Sequence, residues 1–196
     1  QPRLVTIDVT TRRVIQSIDT PSEGSLTHLA IGDHGQVCGV PLSYQGYDLA
    51  GRRAVEHQLG DKNFEISVAE ELEGRIGSPM PVLIIDRSRQ TVQTVTGTPE
   101  KQRRAQSVAY HRGSKRFFVT YSFSDTLACV DGKGVSYVSA FDMGLSYVRG
   151  VCSVGNTGLI AVTGEFRGVA LVDARSLKVV KRIDVPWYGH PHVVYV

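Results

Sequence analysis

Residues 169–186, VALVDARSLKVVKRIDVP, decide the fold of this chain. An apolar run ends at Asp173, a short polar turn follows, and a second run ends at a proline, which is typical of two antiparallel strands. The chain repeats this unit at 4–21 (LVTIDVTTRRVIQSIDTP), 82–97 (VLIIDRSRQTVQTVTG) and, more loosely, 126–141 (TLACVDGKGVSYVSAF). Self-similarity of this kind predicts a repeat architecture.

The spacing of the aspartates identifies the repeat. Asp86, Asp131 and Asp173 lie 45 and 42 residues apart, whereas 78 residues separate Asp8 from Asp86. A period of roughly 40–50 residues with about four strands is that of a propeller blade. The sequence therefore predicts an all-β β-propeller of WD40/YVTN-like, four-stranded antiparallel blades, with about four blades present. Each aspartate is expected to close its turn by accepting bonds from nearby backbone N–H groups.

A second apolar run precedes each Asp unit and is predicted to be the first strand of a blade. Aligning these runs, at 25–31, 104–110, 148–153 and 190–196, places His28, Ser107, Gly150 and His192 in register. The chain then divides, as one propeller domain, into blade parts at 1–21, 22–97 with an insertion at 45–81, 104–141, 147–186 and 190–196. Because the two ends do not add up to a closed ring, we expect the chain to belong to a larger one.

The insertion at 45–81 is rich in glycine, proline and charge, with a weak helical pattern at 64–72. A long excursion from a rigid scaffold is often functional. Tyr44, Tyr47 and the insertion are therefore a candidate lid or partner surface. Trp187 and Tyr188 are expected to seal the packing between blades.

Composition excludes several classes of function. The 196 residues are 41% hydrophobic and 21% charged with a formal charge of +3, as in ordinary globular proteins. No apolar stretch approaches the ~18 residues of a membrane helix, and no signal peptide is predicted because the first residues already resemble a strand. The Arg pairs, among them Arg103–Arg104, are interpreted as solvated turn residues, so nucleic-acid binding is not expected.

Cysteine usage indicates no metal motif. Cys38, Cys129 and Cys152 lie in apolar runs without CxxC or His at ligand spacing. They are predicted to be small buried hydrophobes, with a Cys129–Cys152 bridge as the alternative.

The candidate site follows from the position of the first strands, which line the central channel of a propeller. The side chains expected to converge at one channel mouth are His28, Gln106, Arg149, His190 and His192. In an extended strand the alternate spacing of the two C-terminal histidines points both rings the same way. Such a group can hold an anion or a metal; the alternative is that each histidine bonds backbone at a blade junction or faces water.

The residues at 2–8 (PRLVTID), 25–30 (SLTHLA), 44–46 (YQG) and, loosely, 187–192 (WYGHPH) resemble a bacterial family of exported seven-bladed propellers. It is the twin-arginine-signal family labelled domain of unknown function 1513, and the resemblance is to its C-terminal half. The resemblance implies a periplasmic location, part of a seven-bladed ring and an accessory role beside iron-uptake components. The long insertion departs from the family pattern.

Two functions remain open from the sequence, beside a third interpretation as a structural repeat protein with no ligand. The first is a non-enzymatic periplasmic binding or scaffold protein, whose partner is another protein or the missing half of the propeller. The alternative is a metal-binding or redox-associated enzyme using the His-lined mouth. No cofactor is predicted for the first, and no nucleophile elbow, dinucleotide fingerprint or P-loop supports the second.

Overall fold

The computed structural model describes residues 3–21, 26–41, 79–165, 168–185 and 193–194. These residues form three four-stranded antiparallel sheets and one two-stranded sheet. In each sheet the strands neighbour one another in chain order, as in a blade. The described ranges contain one α-helix, α1 (Ala140–Met143), and 3-10 turns at Asp33–Gly35 and Pro99–Lys101, none long enough to cross a membrane.

The described strands form four sheets, which we number as blades 1 to 4; most of the predicted first strand at 190–196 lies outside the described residues. Blade 1 contains β1 (Arg3–Asp8) and β2 (Arg13–Asp19). Blade 2 contains β3 (Leu26–Ile31), β4 (Gln36–Pro41), β5 (Val82–Asp86) and β6 (Thr91–Val95). Blade 3 contains β7 (Ala105–His111), β8 (Arg116–Tyr121), β9 (Thr126–Asp131) and β10 (Gly134–Ser139). Blade 4 contains β11 (Val148–Ser153), β12 (Leu159–Gly164), β13 (Val169–Asp173) and β14 (Val179–Ile183).

Consecutive blades pack face to face, and the hydrophobic core lies between them. Leu4 and Ile18 of blade 1 pack on Val37 and Ile85 of blade 2. Larger clusters join blade 2 to blade 3 and blade 3 to blade 4, where the side chain of Phe118 is fully buried. The first strands are neighbours, with β7 between β3 and β11, so they form the inner wall of the array.

The repeated Asp turns have the role that the sequence predicts. Asp173 Oδ1 accepts hydrogen bonds from the backbone N–H of Arg175 (3.1 Å) and Ser176 (2.7 Å) and from Ser176 Oγ (2.8 Å). Asp8, Asp86 and Asp131 also accept from backbone N–H groups two or three residues later. The four carboxylates therefore close β-turns.

The direction of the strands defines two faces of the array. The first strands β3, β7 and β11 begin at one face, which we call the front face; the predicted channel mouth is expected on this side. Second strands end and third strands begin at the same face, whereas the Asp turns lie at the opposite, rear face. The connection from β4 to β5 therefore leaves and returns at the front face.

The end of the predicted insertion belongs to the packed fold. Pro79 forms an isolated antiparallel bridge with Arg103, and Met80 is 1% exposed. Met80 N–H donates to Gln102 O (2.7 Å), and Tyr121 Oη donates to Met80 O (2.9 Å). The excursion thus ends before residue 79, because these groups fix it to the linker ahead of blade 3. The predicted helix at 64–72 and residues Tyr44 and Tyr47 lie outside the described residues.

Candidate functional site

The first strand of each complete blade carries a β-bulge at the front face. In all three blades two consecutive residues of the first strand oppose one residue of the second. The opposed sets are Thr27–His28 with Val40, Gln106–Ser107 with Thr120, and Arg149–Gly150 with Thr163. A bulge bends its strand and redirects the side chains beside it, and bulges are common at barrel rims and binding sites. The same bulge therefore shapes the front ends of three neighbouring inner strands.

The predicted site residues fall into two groups. His28, Gln106 and Arg149 all lie in these bulges, on adjacent inner strands. Gln106 and Arg149 take the first bulge position and His28 the second, so the three do not share one register. His190 and His192 lie outside the described residues, as do Trp187 and Tyr188, and the His-lined mouth stays a prediction.

Arg149 is held by its neighbours rather than extended into open space. Its Nε and Nη2 donate to Glu165 Oε2 at 3.1 and 2.8 Å, and the two side chains are only 9% and 17% exposed. The Arg149 guanidinium lies 4.5 Å from the centre of the Tyr147 ring. Thr120 Oγ1 of the preceding blade donates to Arg149 O (2.5 Å). Because a buried charge requires a partner, the Glu165 carboxylate compensates the charge of Arg149.

A second arginine stacks beside this pair. Arg104 directly precedes β7, and its guanidinium lies 4.6 Å from the Phe123 ring centre and 6.0 Å from that of Tyr147. Arg104 Nη1 donates to Tyr147 Oη (2.7 Å). We call Arg104, Phe123, Tyr147, Arg149 and Glu165 the front cluster. It joins blades 3 and 4 through cation–π and charge-assisted contacts.

Of the front cluster, the sequence interpretation identified Arg149 alone. Arg103 is exposed as predicted, but Arg104 is half-buried and stacked, so it is not a solvated turn residue. A signal was present: Arg104 and Tyr147 are 43 residues apart, which is the blade repeat. Both have left-handed backbones, with φ of 53° and 51°. The repeat therefore places both at the same point of successive blades.

Asp125 organises the linker between blades 3 and 4. Its Oδ1 accepts from Val148 N–H (3.2 Å), and its backbone O accepts from Ala140 N–H (2.7 Å). Burial raises the pKa of the Asp125 carboxyl. Both ends of the linker are thus fixed to one turn beside the front cluster.

His111 has a structural role of the kind that the sequence analysis gave as the alternative to ligand binding. It is 3% exposed at the rear end of β7. Ser114 N–H donates to its Nδ1 (3.0 Å), so Nε2 carries the proton and donates to Thr157 O of blade 4 (2.9 Å). This assignment follows from the donors, since a backbone N–H cannot accept. His111 therefore bonds backbone across a blade junction.

An open groove of about 500 Å³ runs along the inner wall between β7 and β11. It is lined by small side chains, among them Ser107, Ala109, Val151 and Ser153, and by the later residues Val193 and Val194. Cys152 also faces it, and all three cysteines are free thiols.

Within the described ranges, no three or more His, Cys, Asp or Glu side chains are grouped to hold a metal ion. Burial raises the pKa of all three thiols, that of Cys129 to about 11. Burial also raises the pKa of Tyr147. The described front face therefore presents stacked and ion-paired side chains, and the thiols and the Tyr147 phenol are neutral at neutral pH.

Comparison with known proteins identifies the fold. No family model matches the chain, and no curated protein matches it. A streptogramin B lyase structure matches with a TM-score of 0.63 and 7% identity, over 94% of this chain and 48% of that one. Hydrazine synthase of Kuenenia stuttgartiensis matches with a TM-score of 0.55 and 14% identity, over 88% and 39%. A nidogen/laminin complex matches with a TM-score of 0.53 and 11% identity, over 93% and 58%.

These structures are β-propeller-type proteins, and the predicted fold class is confirmed. The chain spans roughly half the length of the chains that it matches. At these identities the similarity concerns the fold alone.

Proposed function

We propose that this chain is part of a non-enzymatic β-propeller binding scaffold, with its ligand or partner face at the front face. The observation that carries the proposal is the repeated bulge, which sets Thr27–His28, Gln106–Ser107 and Arg149–Gly150 at the front ends of adjacent inner strands. A rigid scaffold with polar side chains at one rim is a common arrangement for recognition.

The chemistry of the front cluster supports binding over catalysis. Arg149 and Glu165 satisfy each other, and Tyr147 has a raised pKa, so it stays a phenol at neutral pH. Arginine and aromatic side chains are the residues most enriched where proteins bind partners. The cluster thus has the residue types that are enriched at recognition surfaces, with Arg149 and Glu165 mostly buried within it.

The finer proposal is that the protein acts in the bacterial periplasm as an accessory of iron uptake. Its support is the resemblance of residues 25–30 and 44–46 to the exported propeller family. Cell fractionation of the natural host tests the location, and finding the protein in the cytoplasm would overturn it. The metal-binding alternative is tested by elemental analysis of the natural protein and of a His190→Ala/His192→Ala variant. Stoichiometric metal that disappears in the variant would replace the binding proposal.

Site-specific photo-cross-linking tests the front face directly. A photoreactive phenylalanine analogue replaces Gln106, in the bulge of β7, or Gln93, an exposed residue on the outermost strand of blade 2. The two variants remove the same residue type at opposite edges of the scaffold. We expect specific adducts with a ligand or partner in the natural host from position 106 only.

Equal adducts from both positions, or none from either, would contradict the proposal. Thermal unfolding of both variants serves as the control for folding, since only variants with the wild-type midpoint are compared.

A further inference from the structure

The rear face of blades 2 to 4 carries an excess of positive charge. It is formed by the three Asp turns and by the three turns that join each first strand to the second. The cations in or beside these turns are Arg87, Arg89, Arg112, Lys115, Arg116, Lys133, Arg175 and Lys178, and the acids are Asp33, Asp86, Asp131 and Asp173. The cations are therefore twice as numerous as the acids, and their excess is larger than the formal charge of +3 on the whole chain.

The front face of the same blades is balanced. Among the described residues near that face, the cations are Lys101, Arg103, Arg104, Arg149 and Arg182, and the equally numerous acids are Glu100, Asp125, Asp142, Glu165 and Asp184. The two faces thus differ in charge, and the positive excess of the described blades lies at the rear.

At the rear face the cations point outward and the carboxylates are turned inward. The side chains of Arg112 and Arg89 are 90% and 81% exposed, whereas their acidic neighbours Asp33 and Asp86 are 26% and 23% exposed. The carboxylates of the Asp turns accept hydrogen bonds from backbone N–H groups of their own turns, as described above. A ligand that approaches this face therefore meets the cations first.

Contacts between blades hold the rear turns together as one surface. Arg112 Nε lies 3.6 Å from Asp33 Oδ1, across blades 2 and 3. Arg175 Nη2 donates to Gly113 O (3.1 Å), and Arg116 Nη1 donates to Arg175 O (2.8 Å), across blades 3 and 4. The charges of three blades are thus presented on a shared surface whose turns are fixed to one another.

The residue types at this surface indicate the kind of partner. Protein interfaces have a centre of aromatic or large apolar side chains, and single-stranded nucleic acid stacks on exposed aromatic rings. The described rear turns of these blades contain no aromatic residue, and their aliphatic side chains Val154 and Leu177 are half-buried. A layer of phosphate groups requires neither feature: it attracts each nearby Lys or Arg, and guanidinium groups bind phosphate in a bidentate manner.

We propose that the rear face of blades 2 to 4, which we call the basic face, docks on the surface of a membrane that contains anionic phospholipid. The contact is peripheral, between lipid phosphates and the exposed Arg and Lys side chains. In this orientation the front face is directed away from the membrane. The inference goes beyond the proposed function and does not depend on it, because the two faces share no residue.

Co-sedimentation of the natural protein with lipid vesicles tests the proposal. The vesicles contain either phosphatidylcholine alone or equal parts of phosphatidylcholine and phosphatidylglycerol. Lys115→Gln/Lys133→Gln removes two exposed charges from the basic face. The matched control, Lys101→Gln/Lys181→Gln, removes two exposed lysine charges from the front linker and from the outermost strand of blade 4.

We expect binding to the anionic vesicles alone, with a loss of about 10- to 30-fold for the basic-face variant and less than about 2-fold for the control. High salt should also release the protein, since it screens charges at the surface. The thermal midpoints of both variants verify that they are folded.

Equal binding to both kinds of vesicle, or equal losses for the two double variants, would overturn the proposal. Polyglutamate serves as the probe for an acidic protein partner. Binding of polyglutamate through the basic face without binding to anionic vesicles would assign this face to an acidic protein and overturn the proposal as stated. Cross-linking from position 106 reports on the front face separately, so that either proposal can fail alone.

Discussion

At the scale of single residues, the Arg149–Glu165 pair shows how burial determines the contribution of an ion pair to stability. The two side chains are mostly buried and share two hydrogen bonds. Arg3 and Asp19 form a pair of similar length, 2.7 Å, but their side chains are 61% and 56% exposed. Removing one partner of a buried pair leaves an uncompensated charge, whereas an exposed pair is replaced by water.

We therefore expect Glu165→Gln to lower the free energy of unfolding by about 1–3 kcal/mol, since an amide oxygen still accepts from the guanidinium but carries no charge. The matched change, Asp19→Asn, should cost less than about 1 kcal/mol. Urea unfolding of both variants measures the difference. A cost for Glu165→Gln no larger than that for Asp19→Asn would show that the front cluster adds no stability.

At the scale of elements, the repeated Asp turns make the stability of the fold depend on pH. The pKa of Asp173 is lowered mainly by the bond from Ser176 N–H, that of Asp86 by the bond from Ser88 Oγ, and that of Asp8 by the bond from Thr11 N–H. A carboxyl whose pKa is lower in the folded state stabilises the fold above its unfolded pKa of about 3.9. That contribution is lost as the pH falls through the folded value.

Asp173→Asn should therefore flatten the fall in stability below about pH 4, because the amide has no charge to lose. Asp142→Asn, on the exposed surface of α1, is the same chemical change outside the Asp turns and is measured alongside. The measurement is the urea midpoint at a series of pH values from neutral to about 2. Parallel acid limbs for wild type and Asp173→Asn would contradict the assignment.

The elements also show how far the sequence alone leads. Strands and Asp turns are local, because alternation and a turn residue within a few positions specify them, and β13 begins and ends as predicted. The stacking of Arg104 on Phe123 and Tyr147 crosses two blades, and no local pattern specifies it. The alignment of the first strands already sets Gln106 and Arg149 one position before His28, but the bulges depend on how a strand bends against its neighbours and emerged only from the structure.

At the scale of the whole molecule, stability resides between blades rather than within them. Each sheet is a thin meander whose apolar side chains are buried against the sheets before and after it, so the blades form a series of nearest-neighbour interfaces. The cluster between blades 3 and 4 contains Phe118, which is fully buried, and residues of both sheets. A cavity at that position weakens the contact of the whole blade 4 with the rest of the array.

Phe118→Ala should accordingly cost about 3–5 kcal/mol, the range for removing a large buried aromatic side chain. Phe141→Ala is the matched control: the same chemical change in a side chain that is 87% exposed on α1 should cost less than about 1 kcal/mol. Because Phe118 lies at a junction, hydrogen exchange in the Phe118→Ala variant should accelerate in β11–β14 more than in β3–β6. Uniform acceleration in all blades would mean that the array unfolds as one unit, and the blade interfaces would then not be separable steps of unfolding.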